Sequence, residues 1–320
     1  MDRVVLELLK RFRHFKQRTK RKPGFTIDSP FPASLALVLL SFSSLFSTLP
    51  AHALTLSNEI QYYGENFYAD VRAGDRDTDL INTLRTILVS QHQRHPGQPD
   101  TIGGCDITAR DCYRHTPIGY SAARKEIMGD LYLGQNASGY FVKDVYCQKE
   151  FTDADFKHSK LGPGVTPEET VLNVEHTWPQ SRFSSRFDTN TQKSDLHHLF
   201  PADTKMNSIR GNMTFGEVDH DISDVPCPQS RMGTVNGQGG THRFEPPAVH
   251  KGNVARALFY FSVRYSIHID PREEAFLRKW HREDPVDDAD RARNEKIMKI
   301  QGNRNPFIDY PELVDSISDF

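Results

Sequence analysis

In the stretch DTDLINTLRTILVSQHQRH, beginning at Asp77, apolar Leu80, Leu84, Ile87 and Leu88 recur at helical spacing. This predicts a scaffold helix that Asp77 and Thr78 can cap. Residues 96–118 are rich in Gly, Pro and Asp and read as loop, and YSAARKEIMGDL after them reads as helix. GYFVKDVYCQ, residues 139–148, alternates well enough for a strand, and KLGPGVTPEET is a turn-rich connection. VLNVEHTW (171–178) then has the β-branched character of a strand, SDLHHLFP is a second short strand stopped by Pro201, and ADTKMNSIRGN follows as a helix ended near Gly211. Residues 219–247 form a long polar connection. NVARALFYFSVRYS predicts an amphipathic helix with Val254, Leu258, Phe261 and Tyr265 on one side. PREEAFLRKWHRED and DADRARNEKIMKIQG predict two more helices before the tail NRNPFIDYPEL. There is no internal repeat, so the pattern predicts one mixed α+β domain over residues 54–320 with a strand, loop, strand, helix unit at its centre.

The first residues are patterned differently. Residues 1–22 carry nine Lys and Arg, ASLALVLLSFSSLFSTL supplies an apolar run, and Ala51-His52-Ala53 closes it. A basic region, a short apolar run and a small-x-small site predict a secretory signal over residues 1–53, cleaved after Ala53, rather than a membrane anchor. Removing it changes the charge. Of the chain's 40 basic and 42 acidic residues, nine and three lie in the signal, so the remainder has a net charge of about −8. A global basic field therefore cannot hold a polyanion; a local cationic cleft or a bound metal ion must. The exported chain is expected to keep no stable membrane association and to act as a monomer.

Cys105, Cys112, Cys147 and Cys227 are an even set on an exported chain, spaced unlike a zinc site. Three pairings exist; the favoured one joins Cys105 to Cys112 across a short polar loop and Cys147 to Cys227, stapling a strand to the Gly-rich loop.

The chemistry concentrates at Glu175 and His176. On a regular strand their side chains point to opposite faces, but a strand ending just before Pro179 can twist both into one cleft. An isolated Glu-His pair is usually a surface histidine beside a solvated carboxylate; Asn207, a neutral oxygen donor on the next helix, changes the picture. One carboxylate and one amide oxygen suit magnesium, which keeps several waters. A histidine left off the metal is free to act as general base. Phosphodiester cleavage needs both functions, an activated water and a cation for the developing charge. A peptide-cleaving zinc site would want a helical H-E-x-x-H, which the chain lacks.

The segments NVEHTWPQS, KSDLHHLFPADTKMNSIRGN, FEPPAVHKGNVARALFYFSVRY, KWHREDPVD and QGNRNPFIDYPEL resemble, in order, the motifs of the endonuclease I family of secreted and periplasmic bacterial nucleases. The resemblance runs from about Tyr62 to the C-terminus. It implies a ββα-metal, or His-Me finger, core and sequence-independent cleavage of DNA, often RNA too, leaving 5′-phosphate ends. Carried over residue by residue, His176 is the general base, and Glu175 and Asn207 are ligands of magnesium, with manganese or calcium as alternatives. The family takes its phosphate-holding arginine from the loop between the two strands, where Arg182 and Arg186 both qualify; Arg210 and Arg256 are further candidates. Of His197 and His198, strand alternation lets only one face the cleft, and His197 is the one expected to orient the site. Tyr62 and Trp280 read as packing residues. Two rivals stay open: a secreted nucleic-acid-binding protein without turnover, and a ribonuclease that ignores DNA.

Overall fold

A computed structural model describes Leu56 and residues 58–222, 225–236 and 240–320. The expected signal, residues 1–53, lies outside them. Helix α1 (Gly64–Ala73) leads into α2 (Asp77–Val89), which buries the predicted stripe of Leu80, Leu84, Ile87 and Leu88. Asp77 does not cap it: the N-cap residue is Arg76, with no side-chain cap, and the Asp77 carboxylate accepts a hydrogen bond from the backbone of Ser318 at 2.7 Å.

The segment read as loop contains strands. β1 (His92–His95) and β2 (Gln98–Ile102) form a hairpin, and β3 (Cys112–Tyr113) pairs with the other edge of β1. HQRH and QPDTI show no apolar alternation because the side chains they bury include polar His92 and Asp100. The predicted helix over 120–131 is present as α3 (Tyr120–Glu126), continued by a π-helical turn over Ile127–Leu131. β4 (Leu133–Asn136), β5 (Gly139–Lys143) and β6 (Glu150–Thr152) make a three-stranded antiparallel meander. β5 is the predicted strand, ended early by Asp144, whose carboxylate collects the backbone N–H groups of Tyr146, Cys147 and Lys149.

At the centre lie β7 (Leu172–His176), α4 (Thr189–Lys193), β8 (Leu199–Asp203) and α5 (Thr204–Arg210). β7 and β8 are antiparallel, with His176 opposite Leu199 and Leu172 opposite Asp203. The second strand therefore starts later than predicted, and Pro201 sits inside it instead of stopping it. The Pro201 carbonyl points away from β7 and accepts the Val145 N–H at 2.9 Å, so its missing N–H falls on that outer edge, where the β7 pairing does not need it. Asp203 ends β8 and caps α5 through the N–H groups of Lys205 and Met206. Gly211, at φ 54°, ends the helix as expected.

The polar connection over 219–247 is another correction. β9 (Thr214–Phe215), β10 (His220–Asp221), β11 (Arg231–Thr234) and β12 (His242–Glu245) build a four-stranded sheet in the order β10-β11-β12-β9. Helix α6 (Ala248–Tyr265) runs through the core and is buried on nearly every side, not only along the predicted stripe. α7 (Pro271–Glu283), α8 (Asp288–Gln301) and the short α9 (Pro306–Asp309) surround it, capped by Asp270, Asp287 and Asn305. Trp280 and Tyr62 are buried, as packing residues should be. Two apolar clusters result: Phe200 and Ala202 of β8 join the one around α6, while Leu172, Val174 and Leu199 join a second with Val142 and Phe151. The β7–β8 pair is thus held between two cores. Both favoured disulfides form, Cys105 with Cys112 and Cys147 with Cys227.

Candidate active site

The C-terminal end of β7 brings Glu175 and His176 to one cleft. Glu175 is 1% exposed and His176 7%, yet both line a cavity of about 300 Å³ together with Tyr120, Gln180, Asn207 and Arg210. A larger cavity of about 730 Å³, lined by Tyr62, Arg94, Tyr113 and Arg114 among others, contains none of the predicted site residues.

His176 Nε2 lies 3.0 Å from the carbonyl oxygen of Lys193, the last residue of α4. A carbonyl only accepts, so Nε2 carries the hydrogen and Nδ1 is left unprotonated. Nδ1 accepts a long hydrogen bond from the Gln180 side-chain N–H at 3.4 Å. The imidazole is packed against the rings of Tyr120 at 5.2 Å and His198 at 5.4 Å between centroids. Burial, and then the neighbouring His198, push its pKa down to about 3, so the ring is neutral at physiological pH.

Glu175 Oε1 is 2.7 Å from Arg210 Nη1 and makes no hydrogen bond, the ion pair lying off the line that such a bond needs. Burial raises the Glu175 pKa and Arg210 opposes the rise. Arg210 also donates to the backbone carbonyls of His176 at 3.0 Å and Thr177 at 2.7 Å, and lies over the Phe215 ring. Three residues earlier on the same face of α5, Asn207 donates its side-chain amide to the Val174 carbonyl at 3.3 Å. That bond takes its N–H and leaves its Oδ1 as the acceptor atom. A buried carboxylate oxygen without a hydrogen bond and an amide oxygen, both lining one cleft, fit a hard cation that keeps water in its remaining positions. Among the described residues no three His, Cys, Asp or Glu side chains converge as a richer site would require.

The remaining predicted residues separate. Arg182, on a 3-10 turn over Gln180–Arg182, donates to the Asn212 carbonyl at 2.5 Å and faces Glu273 at 3.7 Å. Asn212 lines the cleft, so Arg182 stands beside it without lining it. Arg186 is exposed and does not line it either. Arg256 is fixed to the Asp284 carbonyl and the Asp290 carboxylate, both at 2.7 Å, in a helix-to-helix role. His197 and His198 lie on a 3-10 turn ahead of β8, and both point inward. His198, whose Nε2 bonds the Gln192 carbonyl at 2.8 Å, is the one packed on the His176 ring; His197 bonds the Asn303 carbonyl at 3.2 Å. Sequence reasoning missed Asp195. Its buried carboxylate accepts from Tyr260 at 2.7 Å, Tyr265 at 2.8 Å and Gln301 at 2.8 Å, tying this turn to α6 and α8.

The strand, strand, helix unit and its cleft lie within a segment that matches a known family. Residues 109–312, more than half of the chain, match the endonuclease I family, and the chain belongs to it. It is similar to an extracellular ribonuclease of Bacillus subtilis (strain 168), 38% identical over 166 residues that cover 45% of this chain and 53% of the relative. It is also similar to an extracellular ribonuclease of Bacillus amyloliquefaciens, 37% identical over 164 residues covering 45% and 53%. An extracellular deoxyribonuclease of Aeromonas hydrophila is 31% identical over 121 residues, 38% of this chain and 50% of that one. The chain spans about half the length of the curated relatives it matches.

Proposed function

We propose that the protein is an exported, magnesium-dependent endonuclease that hydrolyses phosphodiester bonds of DNA and RNA without strong sequence preference, leaving 5′-phosphate ends. The observation that carries this reading is the fixed tautomer of His176: its Nε2–H is held by Lys193, and its unprotonated Nδ1 shares a cleft with Glu175 and Asn207. In this reading β7, β8 and α5 are the ββα-metal finger. His176 Nδ1 takes a proton from the attacking water, and the low pKa keeps that nitrogen unprotonated before the reaction. Glu175 and Asn207 would hold the ion, whose charge stabilises the leaving 3′-oxygen when it is bound. Arg182, anchored beside the cleft, and Arg186 are the loop cations that sequence offers for the phosphate.

Membership of the family supports nuclease activity, and relatives named for ribonuclease and for deoxyribonuclease activity support both substrates. Supercoiled plasmid and total RNA, each incubated with magnesium and with EDTA, test the reading. Degradation of both, abolished by EDTA, is expected. Cleavage undiminished in EDTA removes the metal, cleavage of RNA alone makes the protein a ribonuclease, and binding without any cleavage makes it a nucleic-acid-binding protein.

Export is proposed on the basic and apolar patterning of residues 1–53 and on the extracellular and periplasmic names of relatives. Among the described residues no helix is long and apolar enough to cross a membrane. Mature protein should begin at Leu54; N-terminal sequencing of exported material decides it, and full-length chain in the membrane fraction would make the segment an anchor.

A further inference from the structure

A cleft that cleaves phosphodiesters needs a cation able to leave its resting contacts for a phosphate, and the arginines are poorly placed for that. Arg210 is buried against Glu175 and two carbonyls, and Arg256 against Asp284 and Asp290. Arg182 is bound to the Asn212 carbonyl and faces Glu273, and Arg186 lies outside the cleft lining.

Lys193, like Arg182 and Arg186, does not itself line the cleft, but it differs from all four in its resting contacts. Its carbonyl receives the Nε2–H of His176, so the residue is already at the base. Its ammonium nitrogen lies 4.6 Å from the centroid of the Tyr120 ring, and Tyr120 lines the cleft with its ring beside that of His176. Among the described residues no carboxylate pairs with Lys193. A cation resting on an aromatic face at a partly exposed site is held only weakly. A charge-assisted hydrogen bond to a phosphate oxygen is the stronger contact, so the exchange favours the phosphate.

We propose, resting on the reading of this cleft as a nuclease site, that Lys193 is the cation that engages the substrate phosphate, with Tyr120 as the positioning residue that holds its ammonium at the cleft edge. The lysine is a compact point charge on a flexible stem, suited to following a backbone phosphate rather than to reading a base.

Substitution separates this role from the backbone role of the same residue, because every variant of Lys193 keeps the carbonyl that holds His176. The test measures equilibrium binding of a fluorescein-labelled single-stranded oligonucleotide to His176→Ala protein, whose turnover is slowed by roughly 10²- to 10⁴-fold, over a series of salt concentrations. Cleavage by the corresponding single variants is followed alongside. Lys193→Gln should weaken binding about tenfold and flatten the slope of log affinity against log salt by about 0.7, the share of one phosphate contact on a single strand. Lys193→Arg should retain both slope and most of the affinity. Tyr120→Leu should weaken binding less than Lys193→Gln and leave the slope unchanged, since the charge remains. Thermal unfolding of each variant shows that it is folded. An unchanged slope in Lys193→Gln overturns the proposal, as does loss of the slope in Arg182→Gln or Arg186→Gln instead. If parent protein with magnesium neither binds nor cleaves the oligonucleotide, the nuclease reading itself fails and takes this proposal with it.

Discussion

Glu175 and Asn207 are both oxygen donors, but the structure gives them different neighbours and hence different mutational signatures. Asn207 spends one hydrogen bond on the Val174 carbonyl and is half-buried. Glu175 is the counter-charge of buried Arg210. Asn207→Ala should therefore weaken metal affinity, be partly rescued by excess magnesium, and change stability little. Glu175→Ala strands a buried guanidinium and should destabilise the fold by about 3–5 kcal/mol in addition to weakening the metal site. Denaturant unfolding of the two metal-free variants checks this; equal stability would mean that the Glu175–Arg210 pair is not a structural unit. His176→Ala removes neither of the proposed ligands, so metal binding by calorimetry should persist while turnover drops by roughly 10²- to 10⁴-fold. Should His176→Ala abolish metal binding and Asn207→Ala leave it intact, the histidine is a ligand and the roles are reversed. At this scale the convergence of the three residues on one cleft could be read from sequence because their types and their places on a strand end and a helix limit the chemistry. Asp195 could not, since its weight comes from Tyr260, Tyr265 and Gln301, which reach it from two distant helices.

Elements followed the same logic of what holds them. Most of the helices and β7 were legible because they bury apolar side chains, as α2 does with Leu80, Leu84, Ile87 and Leu88, whereas α1, α4 and α9 were not predicted. The hairpin β1–β2 and the sheet of β9 to β12 were not, because their strands are two to five residues long and rich in His, Arg and Thr. Ion pairs such as Arg231 with Asp221 and Glu245 hold the second of these together. Elements with so little apolar burial depend on covalent closure, and the two disulfides serve them unequally. Cys105–Cys112 closes a separation of 7 residues and Cys147–Cys227 one of 80. The chain-entropy relation gives about 2.5 and about 4.5 kcal/mol respectively. The paired substitution Cys147→Ser with Cys227→Ser should thus lower the denaturation midpoint more than Cys105→Ser with Cys112→Ser. The opposite ranking in urea unfolding would show that native-state contacts, not loop closure, govern the contribution.

For the whole molecule, the placement of histidines makes stability depend on pH. His197 and His250 are pushed down to about 3 and His115 and His198 to about 4, in each case first by burial. Unfolded histidine titrates near 6.5. Between these values the unfolded chain binds protons that the native state refuses, so stability is full above about 6.5 and falls as the pH drops below it. Each such histidine contributes up to about 1.4 kcal/mol per pH unit. Buried Glu175 and Glu273 act in the opposite sense: their pKa values are raised by burial, so near and just above the ordinary carboxylate range the native state is the better proton acceptor. The histidine effect is therefore cleanest between about pH 7 and about pH 5.5, above that range. His250 isolates one share of it. It packs on Phe200, its Nε2 is buried without a partner, and it takes no part in the cleft. Urea unfolding of the parent chain over this interval should show stability falling with acidification, and His250→Leu should show a shallower fall by about one histidine's share. A parent chain equally stable at both ends of the interval, or a His250→Leu variant with an unaltered slope, would mean that these rings take up their protons in the folded state, and that the interior around α6 is wetter than its packing implies.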